Sequence, residues 1–265
     1  MTIHSAYFLV IHGSRNRKTL FAAARLQEIL AAKIASKLGN LVVPFGKERG
    51  LDFSSSKVKI LDAPRVPLLE TAALELAPLP LNQSLVDFAS KAYAQGYGRV
   101  KVLPLFLAPG VHVIEDIPSE ISLAVEQIGD QITIELSPFI GKYSAMEQLI
   151  IDKFSTLSGQ SRILMAHGSR LPAVREYCTR LANKVEASVA YWSKNPSLQE
   201  QVAIQVARGS KKIAILPYFL FPGRITETIA LEVASLQAKY PEVELVLGQP
   251  LGTTKAIAEL IAQKI

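Results

Sequence analysis

The sequence predicts an α/β fold of two similar lobes, each a parallel sheet flanked by helices. Three observations carry that prediction. A short apolar run, Tyr7–Ile11, stops at His12-Gly13-Ser14-Arg15, and a helical pattern follows at once. Nearly the same phrase returns later, "VIHGSR" at 10–15 and "MAHGSR" at 165–170. Two further pairs repeat in the same order: "GYGRVKVLPLFLAPG" (96–110) with "GSKKIAILPYFLFPG" (209–223), and "PFIGKYSAMEQLIIDK" (138–153) with "PLGTTKAIAELIAQK" (250–264). Three anchors in one order make two copies of a single unit.

Each copy reads β–α–β–α–β–α–β–α. In the first, Tyr7–Ile11 is a strand. Leu20, Ala23, Leu26, Leu30, Ile34 and Leu38 then recur at helical spacing. A helix is expected from about Leu85 to Gln95, a strand over Val100–Leu107 and a helix near Pro118–Gln127. A strand over Ile132–Leu136 and a helix over Ser144–Phe154 complete the unit. Gly96 and Gly209 stand where helix C-caps belong. Strands alternating with helices imply a parallel sheet covered on both faces. The histidines of the repeated phrase, His12 and His167, are 155 apart, but the later anchors are offset by 113 and 112. The first copy therefore holds about 42 extra residues, most naturally around 39–66, a stretch rich in Gly, Ser, Lys and Arg. That insertion is either a lid or binding loop beside the site, or a surface excursion. The expected lobes are 1–157 and 158–265.

Composition narrows the function. Of 265 residues, 49% are apolar, enough for a substantial core. No stretch approaches the 18 or so apolar residues of a membrane helix, and the N-terminus has no secretory pattern. The one cysteine, Cys178, excludes an internal disulfide and a four-cysteine iron–sulfur site, so no such cluster is expected. These features point to a cytoplasmic protein. The net charge of +6 favours anionic ligands. The bases are spread along the chain without a stripe of interleaved aromatics, so nucleic acid is not an expected partner.

Ligands of open parallel sheets bind beyond the carboxyl ends of the strands. His12 lies just past the first strand, and His112 lies five residues past Leu107. A carboxylate is the usual companion of two such imidazoles. Glu75, between Leu74 and Leu76, is the leading candidate. Among aliphatics it would be half-desolvated, which raises a carboxyl pKa and makes a better proton acceptor. Glu70 is a weaker rival, and Glu115 and Asp116 are weaker again as ligands. Alternatively, Glu75 caps the next helix or faces solvent. Two imidazoles and a carboxylate suit a divalent transition metal with open positions, not a closed thiolate-rich zinc site. There is no Walker spacing, no G-x-G-x-x-G after the first strand and no G-x-S-x-G elbow. An H-G-S turn could bind phosphate at a helix start, but that leaves His112 unexplained.

The first half resembles the class II tetrapyrrole chelatases of the sirohydrochlorin cobalto/ferrochelatase group. "VIHGSR" (10–15), "ALELAPLPL" (73–81) and "PLFLAPGVHVIEDIP" (104–118) carry the resemblance, which extends over the chain through the second copy. The stretch after Glu75 is a few residues longer than in short members. The resemblance implies a two-lobed fold with the active cleft between the lobes, and ATP-independent insertion of a divalent metal into sirohydrochlorin, for siroheme or cobalamin synthesis. Fe2+ is favoured as the metal substrate and Co2+ comes next. Carried over by position, metal binding and catalysis fall on His12, Glu75 and His112. Ser14, Arg15 and Arg224 are candidates for contact with the carboxylate-rich substrate. Short relatives build the cleft from two chains, so the duplication implies that a monomer suffices. A non-catalytic metal or tetrapyrrole carrier using the same cleft is the other reading. The second copy keeps His167, but Ile225 stands at the partner position of His112, and no carboxylate lies between Ala187 and Asn195. One working site, in the first lobe, is therefore expected.

Overall fold

Two four-stranded parallel sheets are built by the two halves of the chain in the same order of elements. The structure, a computed structural model, describes residues 4–39, 67–252 and 255–263. The expected insertion at 39–66, with Lys47, Arg49 and Arg65, lies almost wholly outside them. In the first half, β1 (Ser5–Ile11), α1 (Arg17–Gly39), β2 (Leu69–Ala73), α2 (Leu81–Ala94), β3 (Arg99–Pro104), α3 (Ile117–Ile128), β4 (Thr133–Leu136) and α4 (Ala145–Leu157) follow in turn. The second half gives β5 (Ser161–Ala166), α5 (Pro172–Lys184), β6 (Ser188–Tyr191), α6 (Leu198–Ala207), β7 (Lys212–Pro217), α7 (Arg224–Lys239), β8 (Glu244–Leu247) and α8 (Lys255–Ala262). Strand orders are β2-β1-β3-β4 and β6-β5-β7-β8. In both, the chain steps to one side of the first strand and then to the other. The switch points therefore lie between β1 and β3 and between β5 and β7, where ligands of such sheets bind.

Three boundaries differ from the sequence expectation. β3 ends at Pro104, not Leu107. The Leu105 amide makes one last bond to the Val10 carbonyl at 2.8 Å, and the chain then leaves the sheet. Leu105–Leu107 are apolar because they line a cleft, and periodicity cannot separate that from a buried strand. α2 begins a turn early, at Leu81, because Leu81 and Leu85 both enter the core. Its first amides are met from another element: Glu120 of α3 accepts from the backbone and side-chain nitrogens of Asn82 at 2.8 Å each. Third, α3 is preceded by a single π turn, His112–Asp116. Gly96 and Gly209 take left-handed φ values of 80° and 85° just beyond α2 and α6, as C′ residues do.

The apolar residues form three clusters. One covers the outer face of the first sheet beneath α2 and α3, with Phe8, Phe88 and Ile117. Another does the same for the second sheet beneath α6 and α7, with Met165, Val202 and Ile229. The largest is shared: Leu9, Leu26, Leu30 and Phe154 of the first half pack in one continuous core with Leu164, Leu216, Leu181 and Ile261 of the second. The lobes thus bury apolar surface against each other.

Polar ties reinforce that seam. The Tyr218 hydroxyl, just after β7, donates to the Leu107 carbonyl at 2.9 Å. Tyr177 of α5 donates to the Gly141 carbonyl at 2.5 Å. Gly141 is packed so closely that a Cβ would stand 2.1 Å from the Leu107 oxygen. Tyr218 is 4% exposed, and burial pushes its hydroxyl pKa well up, so it stays a donor. Tyr218→Phe should leave the Leu107 carbonyl short of a partner and lower stability by roughly 1–3 kcal/mol, read as a reduced urea midpoint with an unchanged m-value.

Candidate metal centre

Parallel register brings the candidate ligands to one edge. Ile11 pairs with Ala73 of β2, and Val10 with Pro104 of β3. The residues that follow each strand therefore emerge side by side at the switch point. One ligand atom from each of His12, Glu75 and His112 comes together, all within 4.8 Å of one another. His12 Nδ1 is 3.8 Å from Glu75 Oε2, and His112 Nε2 is 3.9 Å from Glu75 Oε1. Ligands about 2.1 Å from one metal stand roughly 3–3.5 Å apart, so small rotations would close the set. The imidazole rings meet edge to face at 4.7 Å, and Phe106 lies beside both at 6.5 and 6.2 Å.

The turn after β1 is fixed to the turn after β2. The Glu75 amide donates to the His12 carbonyl at 2.9 Å. Gly13 has φ +102°, and a Cβ there would meet the Glu75 carbonyl oxygen at 2.0 Å. Only glycine fits both the backbone angle and the contact.

The aliphatic burial expected around Glu75 is absent. Leu74 packs partly against the outer core, but Leu76 has φ +57° and is 57% exposed. The Glu75 side chain itself is 49% exposed, so the acid sits among imidazoles and solvent, not among leucines. Of its rivals, Glu70 lies within β2, paired with Phe8 and back from the edge. Glu115 is exposed. Asp116 turns out to be a partner of a ligand candidate: its Oδ2 lies 2.6 Å from His112 Nδ1.

Beside His12 a cavity of about 510 Å³ opens between the lobes. Ser14, Asn16, Phe106 and Leu107 line it from the first lobe, and His167, Phe219, Arg224 and Ile225 from the second. Ser14 Oγ accepts from the Asn16 amide at 3.0 Å, stabilising the turn into α1. Arg224 is the first residue of α7 and is exposed. Arg15 is exposed on the same turn as Ser14 but is not among the cavity residues. Cys178 reaches the cavity lining but is only 2% exposed. Burial pushes its thiol up to about 11, so it is protonated at neutral pH and no metal ligand.

The second lobe repeats the frame without the acid. The Ser193 amide donates to the His167 carbonyl at 3.0 Å, Gly168 has φ +87°, and Phe219 lies 6.4 Å from the His167 ring. Ser193 thus stands where Glu75 stands. His167 faces Trp192 at 5.6 Å. Its Nδ1 lies 2.9 Å from the Gly168 carbonyl, which can only accept, so the proton is on Nδ1.

The two-lobed fold is that of solved sirohydrochlorin chelatase structures. SirB from Bacillus subtilis, solved with Fe3+, superposes with a TM-score of 0.71 at 22% identity, over 98% of this chain and 94% of that one. SirB from the subspecies spizizenii, in complex with cobalt, gives 0.67 at 21% identity, over 99% and 94%. The chain belongs to the CbiX family, whose model matches residues 61–157 and again 161–265. A sirohydrochlorin ferrochelatase of Priestia megaterium is 24% identical over 233 residues, 83% of this chain and 84% of its own length. A sirohydrochlorin cobaltochelatase of Saccharolobus islandicus is 26% identical over 117 residues, 39% of this chain and 91% of its own. Among the described residues, no helix is long and apolar enough to cross a membrane.

Gly13→Ala is expected to force the β1 and β2 turns apart. Stability should fall by roughly 1–3 kcal/mol, measured by denaturant unfolding. A crystal structure of the variant should show His12 and Glu75 beyond their present 3.8 Å separation.

Proposed function

We propose that this protein inserts a divalent metal, Fe2+ foremost and Co2+ next, into sirohydrochlorin without ATP, as a step of siroheme or cobalamin synthesis in the cytoplasm. The observation that carries the reading is the convergence of His12, Glu75 and His112, with His12 itself on the lining of the inter-lobe cavity. The metal is a substrate. Two neutral imidazoles and one carboxylate hold a first-row divalent ion while leaving positions open. Family membership and the relatives' names support the substrate class.

Insertion replaces two pyrrole N–H protons with one M2+, so the site must release a metal and accept protons. Glu75 is the proposed acceptor. It lies within 4 Å of both imidazoles, and its half-exposed side chain can pass protons to water. Leu105, Phe106, Phe219 and Ile225 line the cavity and suit the faces of a flat macrocycle. Ser14 and Arg224 on the lining and Arg15 on the adjoining turn suit its carboxylates. We assign the working lobe to residues 1–157 and the opposite wall to 158–265, so that one chain completes the cleft without nucleic acid or membrane.

The test is multiple-turnover absorbance of sirohydrochlorin with Co2+ or Fe2+, enzyme being well below substrate. His12→Ala and His112→Ala should each lower the rate by about 100-fold or more. Glu75→Gln should retain much of the metal affinity and lower kcat by about 10²–10⁴-fold. His167→Ala should cost less than about tenfold, the effect of a wall residue outside the metal set. A single equivalent of product with no turnover would make the protein a carrier, and damage from His167→Ala equal to that from His12→Ala would move the working site.

A further inference from the structure

The two copies differ by one residue at an informative place. Gly110 before the π turn matches Gly223, an offset of 113. Ile117, Ile121 and Ala124, three of the four buried positions of α3, match Ile229, Val233 and Leu236, the buried positions of α7, an offset of 112. The extra residue of the first copy therefore lies between Gly110 and Ile117, where the π turn His112–Asp116 sits. The Ile117 amide closes that turn on the His112 carbonyl, one residue beyond the α-helical pattern. A π turn of this kind is a single-residue widening of a helix, frequent at functional sites. The second copy has a regular first turn, Arg224–Thr228, with neither histidine nor aspartate.

Across the widened turn, Asp116 Oδ2 meets His112 Nδ1 at 2.6 Å. Asp116 immediately precedes α3 yet makes no side-chain cap bond to it, so its carboxylate is directed to the imidazole and not to the helix end. A carboxylate accepts, so the proton of a neutral His112 must sit on Nδ1. That leaves the Nε2 lone pair facing Glu75, 3.9 Å away. We infer that Asp116 is a positioning residue: it fixes the tautomer and ring orientation of His112, presenting Nε2 to the metal. The inference rests on the proposed role of His112 as a metal ligand. The carboxylate–histidine–metal relay is a general device for raising ligand basicity and locking a ring. Here the extra residue of the π turn creates it, and the copy that lacks the histidine lacks the aspartate with it.

Two measurements on Asp116→Asn, with Asp116→Ala as a second variant, test this. The first is long-range ¹H–¹⁵N NMR of the histidine rings at a pH where they are neutral, with His112 assigned by its loss in His112→Ala. Wild type should show Nδ1–H with Nε2 bare. Asp116→Asn should show mixed tautomers, since an amide can donate as well as accept. The second is Co2+ titration followed by its visible ligand-field spectrum. Each Asp116 variant should raise Kd by about 10–100-fold with a wild-type melting temperature. An unchanged His112 tautomer overturns the inference, and so does wild-type Co2+ binding by both Asp116 variants when His112→Ala has lost it. If His112→Ala itself binds Co2+ like wild type, the metal-site reading falls, and the tautomer measurement still decides the role of Asp116.

Discussion

The Glu75 amide bonded to the His12 carbonyl, with Gly13 pressed against the Glu75 oxygen, is the constraint on which the site depends. It ties the turn leaving β1 to the turn leaving β2 by backbone alone. Whatever side chains occupy these positions must then stand beside each other. The second lobe shows that the pin belongs to the fold and not to the chemistry. There the Ser193 amide makes the same bond to His167, and Gly168 makes the same turn, but a serine occupies the place of the acid. Duplication copied the frame into both lobes, and only the first carries the acid and the second histidine.

That asymmetry has a structural counterpart. The largest apolar core is common to the two lobes, so neither inner face is complete without the other. At the offset of 113, Tyr218 stands where the first copy has Leu105, and its hydroxyl reaches across to the Leu107 carbonyl. The loop it holds runs from β3 towards His112. The second lobe therefore supports the first through packing and through the Tyr218 and Tyr177 hydroxyls.

The order of elements was legible in the sequence because hydrophobic period and glycine position are local signals. They give four β–α pairs in each lobe, and strand ends alone place the paired histidines of the first lobe at one sheet edge. What escaped was non-local. Leu105–Leu107 look like strand residues because the cleft is apolar. The start of α2 depends on Glu120, 38 residues away. Two flanking leucines suggest that Glu75 is buried, but the chain turns one of them, Leu76, to solvent at a positive φ. The π turn was visible only as an offset slipping from 113 to 112. His112 and Asp116, four apart, are the one local sign of their contact, though as a ligand Asp116 ranked behind Glu75.

The exposure of the site bears on what such a centre can do. His12 is 54% exposed, Glu75 49% and His112 31% by side chain. A storage or structural site encloses its ion and uses thiolates where it can. Here the sole thiol lies in the cavity lining but is buried and protonated, and His12, Glu75 and His112 are each partly exposed. Such a set binds a metal through few bonds and leaves the rest of its shell to water, which a ring of four nitrogens can displace. The same openness carries a cost, since half-hydrated side chains have many rotamers to lose on binding. The His12–Glu75 backbone pin and the Asp116 hydrogen bond reduce that loss without closing the site. On the proposed reading of the site, rigid backbone beneath exposed ligands reconciles holding a metal with giving it up.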